Sequence, residues 1–251
     1  MKVTLRQILI FIAIVAVIVV NGLANAIPYN GQTTAEISDR LSNYFVPEGY
    51  VFIIWGVIYL GLLAYAIFQV RPAAADNPRL KAISGWVFLS SAANIIWLFL
   101  WHYNQFILTV PLMLVLLGSL IAIYPKLRGG KSQVPSAERW AVRVPFSIYL
   151  GWITVATIAN FSAMFTSINW TGGFLSPAAW FVVVVLVAIV IAALMTYFRR
   201  DVAYLLVLVW ASIGIAVRPT DSSLVVTVSW VAAAIFAVFV VYSLLKPRPA
   251  V

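Results

Sequence analysis

Cysteine is absent from the chain, which excludes disulfides, thiolate nucleophiles and cysteine-based metal sites. Histidine occurs once, as His102, so no second imidazole is available to complete a metal or haem site around it. Charge is scarce as well: 9% of residues are charged and 64% are hydrophobic, against roughly 25% and 45–50% in soluble domains. A soluble core of this size is excluded. The few acids are outnumbered, seven against sixteen Lys and Arg, for a net charge of +9. The bases sit in short segments and form no continuous patch, so nucleic acid is not the expected partner; anionic lipid headgroups are.

What is present is a series of eight long apolar runs, approximately 5–27, 48–70, 82–103, 106–123, 144–165, 178–198, 202–217 and 222–245. Each is near the roughly 20 residues that a helix needs to cross about 30 Å of hydrocarbon. With the N-terminus in the cytoplasm, fourteen Lys and Arg fall in cytoplasmic segments and only Arg40 and Arg218 outside. That asymmetry is the positive-inside pattern of an even number of spans with both ends cytoplasmic. The fold class read from the sequence is therefore an all-α, polytopic transmembrane bundle of about eight spans, expected in a bacterial cytoplasmic membrane. Lys2, Arg6 and Ala24-Asn25-Ala26 around the first run imitate a secretory leader. Pro28 lies close behind the would-be cleavage site and the run is long enough to span, so it is read as the first helix.

Between the runs, the segment Pro28 to Pro47 is the longest exterior loop, polar at first and acidic at Glu36 and Asp39. A loop of this length between packed helices is expected to act as a lid or binding element. Gly129-Gly130-Lys131-Ser132 lacks the first glycine of a phosphate loop, since Pro125 stands in its place; it reads as a basic turn. Asn169-Trp170-Thr171 matches a glycosylation acceptor triplet. Asp201 and Asp221 are expected to cap the helices that follow them. The exterior segment 166–177 divides the chain provisionally into residues 1–170, with five spans, and 171–251, with three.

No Asp, Glu, Lys, Arg or His is expected near the bilayer midplane, which argues against a carboxylate-driven pump, and no Ser/His/Asp constellation exists. The spans offer tryptophan, tyrosine and asparagine instead. Of ten Trp residues, Trp86, Trp101, Trp140, Trp170 and Trp180 lie at span ends or in loops, where aromatic belts form; His102 is assigned to the same interface. Trp55, Trp97, Trp152, Trp210 and Trp230 lie deeper and need packing partners or a ligand. Trp55 and Tyr59 are one helical turn apart, as are Asn94 and Trp97, and Trp152, Ala156 and Asn160 repeat at i, i+4 and i+8, so each set shares a helix face. These seven residues are expected to converge beneath the long loop. Aromatic walls with a few amides suit a flat, mostly apolar ligand; the same pattern also serves helix packing through amides and small residues.

At these residues the chain resembles the tryptophan-rich sensory protein family, also called the translocator protein or peripheral benzodiazepine receptor family. Pro47 to Trp55 followed by Tyr59 is similar to the motif that opens the family's second helix. Asn94-Ile95-Ile96-Trp97 resembles its Asn-x-x-Trp in the third, and Pro145-Phe146 with Trp152 and Asn160 resembles the series of its fifth. The resemblance covers roughly residues 1–165. It implies a five-helix fold, a pocket closed by the loop after the first helix, frequent dimers, and binding of porphyrins, sterols or synthetic aromatic ligands with no cofactor required. By position, Trp55, Tyr59, Asn94, Trp97, Trp152 and Asn160 become pocket residues. The family's paired prolines before the second helix are reduced to Pro47, and the last three spans exceed the family's usual length. Three functions remain open: a sensor or carrier of a tetrapyrrole-like ligand, an eight-helix permease, and a porphyrin-degrading enzyme for which no catalytic residue is identified.

Overall fold

The computed structural model describes residues 2–41, 43–128, 134–170 and 172–246. Among them are nine helices and no strand: α1 (Leu5–Ala26), α2 (Thr34–Arg40), α3 (Gly49–Val70), α4 (Pro78–His102), α5 (Phe106–Arg128), α6 (Ser136–Ser167), α7 (Pro177–Phe198), α8 (Val202–Ala216) and α9 (Ser223–Leu245). Seven of these are long and apolar enough to cross a membrane. The exception among the expected spans is α8, at 15 residues, or about 22 Å of helix. Its ends nevertheless reach both levels of the bundle. Asp201, just before it, meets Arg128 at the foot of α5, and Arg218, just after it, meets Asp39 in the long loop. The protein is thus a polytopic helical membrane bundle.

Local signals explain most helix starts. Thr4 and Gln7 form a capping box on α1, Thr33 and Glu36 another on α2, and Asn77 accepts from the backbone N–H groups of Arg79 and Leu80 ahead of Pro78. Asp201 caps α8 as expected, through the Tyr204 N–H. Asp221 does not cap α9; the hydroxyl of Ser222, one residue nearer the helix, accepts from Val225 N–H instead. The fifth span begins earlier than its apolar run: residues 136–143 wind into α6 through a π-turn at Arg139–Arg143. Buried Glu138 makes this possible, because Arg79 neutralises it through two hydrogen bonds of 2.6 and 2.9 Å. The expected basic turn at Gly129 to Ser132 lies outside the described residues, as do Ser42 of the loop and Thr171 of the acceptor triplet.

Helix neighbours close a ring: α1 packs on α3, α3 on α6, α6 on α5, α5 on α4, and α4 back on α1. The last three helices lie outside it. There α8 packs on α6, α9 on α8, and α7 on α9. Two glycines allow close approaches of α6 to its neighbours. A Cβ on Gly61 would stand 2.9 Å from Pro145 Cβ, where α3 meets α6, and one on Gly151 would stand 3.1 Å from the Tyr204 carbonyl oxygen, where α6 meets α8. The recurrence of Ile-Tyr-Leu-Gly at 58–61 and 148–151 therefore serves two different contacts.

Candidate functional site

The ring brings together the residues expected on common faces. Trp55 stacks on Tyr59 with centroids 5.6 Å apart and lies 6.4 Å from the Trp97 ring and 6.0 Å from that of Trp152. Trp97, Asn94, Trp152 and Asn160 are buried, while Trp55, Tyr59 and Ala156 are half-buried. Ala156 contributes packing on the same face and no polar contact. Two hydrogen-bonded chains tie the helices around this cluster. The Trp97 indole N–H donates to Asn160 Oδ1 at 2.7 Å, Asn160 donates to Thr109 Oγ1 at 2.9 Å, and that hydroxyl donates to Phe106 O at 2.6 Å. In the second, Asn21 donates to Asn94 Oδ1 at 2.8 Å and Asn94 donates to the Tyr149 hydroxyl at 3.2 Å.

Two nitrogens stand apart from this pairing. Trp152 is 3% exposed, and its indole N–H is buried without a partner among the described residues. Such a donor in an apolar interior is costly. Trp55, across from it, makes ring contacts with four aromatic side chains; among the described residues no hydrogen bond holds its indole, so packing alone positions it.

Several participants lay outside the sequence reading. Trp101 and His102, at the end of α4, are packed inside the protein and do not face outward. Trp101 is buried, stacks on Trp97 at 5.5 Å and donates to Thr34 O at 3.3 Å, and His102 is fully buried with Nδ1 2.8 Å from Leu98 O. The physical reason is the long loop, which folds back over the end of α4. Asn30 donates to His102 O, Arg40 donates to Asn104, and Tyr29 stacks on Phe99. Phe52, Tyr149, Asn21 and Thr109 were also missed; a polar residue inside an apolar run, as at Asn21, was the available signal. Of the deeper tryptophans, Trp210 donates to Val51 O at 3.1 Å, and Trp230 turns outward at 47% exposure.

The loop is fastened on its other side by the last three helices. Arg218 pairs with Asp39 at 2.6 Å and donates to Pro47 O at 3.0 Å, and Glu48 N–H donates to Gly214 O at 3.0 Å. A cavity of about 820 Å³ opens beside this junction, between the loop, the end of α6 and the connections flanking α7 to α9. None of the seven expected site residues lines it. Their own rings fill the upper part of the five-helix ring instead.

These features define a class: a multi-pass membrane protein with a five-helix ring closed around tryptophan and asparagine, capped by the loop after its first helix. The chain belongs to the TSPO-like protein family, whose match runs over residues 7–242. The match extends past residue 165 and reaches into all three of the last helices. No curated protein and no solved structure matches the chain.

Proposed function

We propose that the protein binds a flat, hydrophobic, tetrapyrrole-like ligand inside the five-helix ring, as a sensor or carrier in a bacterial cytoplasmic membrane. The observation that carries this reading is the indole N–H of Trp152, buried without a partner among the described residues, with the Trp55 ring 6.0 Å away and positioned by packing alone. The amides of Asn94 and Asn160 around them are engaged with other side chains, so a ligand acceptor is the natural partner for this donor. Entry requires Trp55 to swing from its stack on Tyr59, leaving a slot between aromatic faces; carboxylate or ring nitrogen atoms of the ligand then accept from Trp152. The permease reading has less support, because the last three helices lie outside the ring and build no wall around its axis.

A titration of the purified protein with protoporphyrin, followed by the ligand's absorbance band, tests this. Trp55→Ala removes a stacking wall worth about 1 kcal/mol or more and is expected to weaken binding at least about fivefold. Trp152→Phe removes one donor and is expected to weaken it by about fivefold. Unchanged affinity in both folded variants overturns the proposed site.

A further inference from the structure

We propose a second binding site, between the five-helix ring and the last three helices, for a single-chain amphiphile with a cationic aromatic head. It does not rest on the ring-interior reading. The 820 Å³ cavity beside the long loop is of the size that encloses a drug-sized molecule. Its walls include Tyr44, Phe165, Trp170 and Trp180. Trp180 is held by a 2.7 Å hydrogen bond to Gly172 O, and Trp170 packs between it and Phe165 at 5.8 and 4.5 Å. These rings form a fixed aromatic wall rather than scattered belt residues.

Below this mouth runs an apolar slot of about 50 Å³, between Val155 and Ile158 of α6, Ala188 of α7, Leu208 of α8 and Phe236 of α9. Phe45 and Ile215 line both spaces, so the slot adjoins the cavity. The slot exists because α7 rests on α9 rather than on α6. Its volume of about 50 Å³ has room for a few methylenes of an alkyl chain and not for a ring system. A wide aromatic mouth above a narrow apolar slot fits a head with one tail.

Charge selects the head. Arg218, which lines the mouth, is already engaged by Asp39 and Pro47 O. The Asp221 carboxylate meets only the Thr220 hydroxyl, at 3.4 Å, and no cation pairs with it among the described residues. Across the loop end as a whole, four carboxylates (Glu36, Asp39, Glu48 and Asp221) face two guanidiniums, Arg40 and Arg218. A cation is attracted there, and indole faces add cation–π attraction.

Hexadecylpyridinium, whose head quenches tryptophan fluorescence, is the probe, with the full chain in phosphatidylcholine nanodiscs. The expected result is saturable quenching at about one probe per chain. Asp221→Asn weakens it about fivefold, and Ala188→Phe, which fills the slot, weakens it about tenfold. Hexadecyl sulfate and N-methylpyridinium, each lacking half of the recognised chemistry, bind at least about tenfold more weakly. Protoporphyrin affinity stays unchanged in both variants, which separates this site from the ring interior. Linear quenching without saturation, equal binding of hexadecyl sulfate, or an unaltered Asp221→Asn variant overturns the proposal; that carboxylate is exposed, so its variant folds even if Ala188→Phe does not. Native mass spectrometry supplies the last arm. Phosphatidylcholine retained by the wild type, lost in Ala188→Phe and not displaced by hexadecylpyridinium assigns the site to bilayer lipid and overturns the cationic head.

Discussion

At the scale of single residues, two buried tryptophans of like chemistry on different helices behave as opposites. Trp97 gives its N–H to Asn160 at 2.7 Å; Trp152 gives its N–H to nothing among the described residues. Replacing each by Phe therefore separates structure from binding. Trp97→Phe strands the Asn160 carbonyl oxygen and is expected to cost about 1 kcal/mol, within the range of interhelical hydrogen bonds in membranes. Trp152→Phe removes an unsatisfied donor and is expected to leave stability nearly unchanged. Thermal unfolding in one detergent reads both. A larger loss in Trp152→Phe than in Trp97→Phe contradicts the assignment of these two indoles. The faces carrying both residues were legible from spacing alone, since a helix places i, i+3 and i+4 together. Which indole would find a partner was not, because that depends on Asn160 and Thr109 arriving from two other helices.

At the scale of elements, the segment after α1 is the informative case. Its length announced a lid; the Thr33 and Glu36 capping box that starts α2 was not read from the sequence. Its destination was hidden. Three polar side chains, Asn30, Arg40 and Arg218, fasten it to the end of α4 and to the end of α8, and such contacts join residues 64 or more positions apart. That is why Trp101 and His102, which stand at a span end in the sequence, are interior in the fold. The cap also makes the lid sensitive to acid. The backbone N–H of Thr33, followed by its hydroxyl, holds the Glu36 carboxyl below its ordinary range. A carboxylate with a lowered folded value stabilises the fold above its unfolded value, and that contribution is lost as pH falls through the lowered one. Proteolytic cleavage within 33–40 is therefore expected to accelerate as pH drops below the ordinary carboxylate range, and Glu36→Gln is expected to cleave at a rate that no longer changes with pH there.

At the scale of the whole molecule, hydropathy was enough to give the helical bundle, because the bilayer constrains span length directly. The placement of the last three helices was not legible, since lipid-facing and helix-facing surfaces of such spans are equally apolar. Their attachment instead depends on a few polar links. Arg128 and Asp201, with side-chain exposures of 14% and 4%, join α5 to the start of α8, and Tyr124 adds a 2.6 Å hydrogen bond to the same carboxylate. Asp201→Asn leaves the guanidinium without its counter-charge and is expected to cost about 3 kcal/mol. The exposed Lys81 and Asp76 pair, at 51% and 79%, is expected to contribute under about 1 kcal/mol. Denaturant unfolding of Asp201→Asn and Asp76→Asn measures the difference.

The central claim is that the ring interior, and not the larger cavity beside it, holds a flat ligand. Protoporphyrin quenching of tryptophan fluorescence in the wild type, Trp152→Phe and Trp170→Phe tests this most directly. The account predicts saturation near one ligand per chain, weakened by about fivefold in Trp152→Phe and unchanged in Trp170→Phe. Unsaturable quenching, or affinity lost in Trp170→Phe and retained in Trp152→Phe, contradicts it.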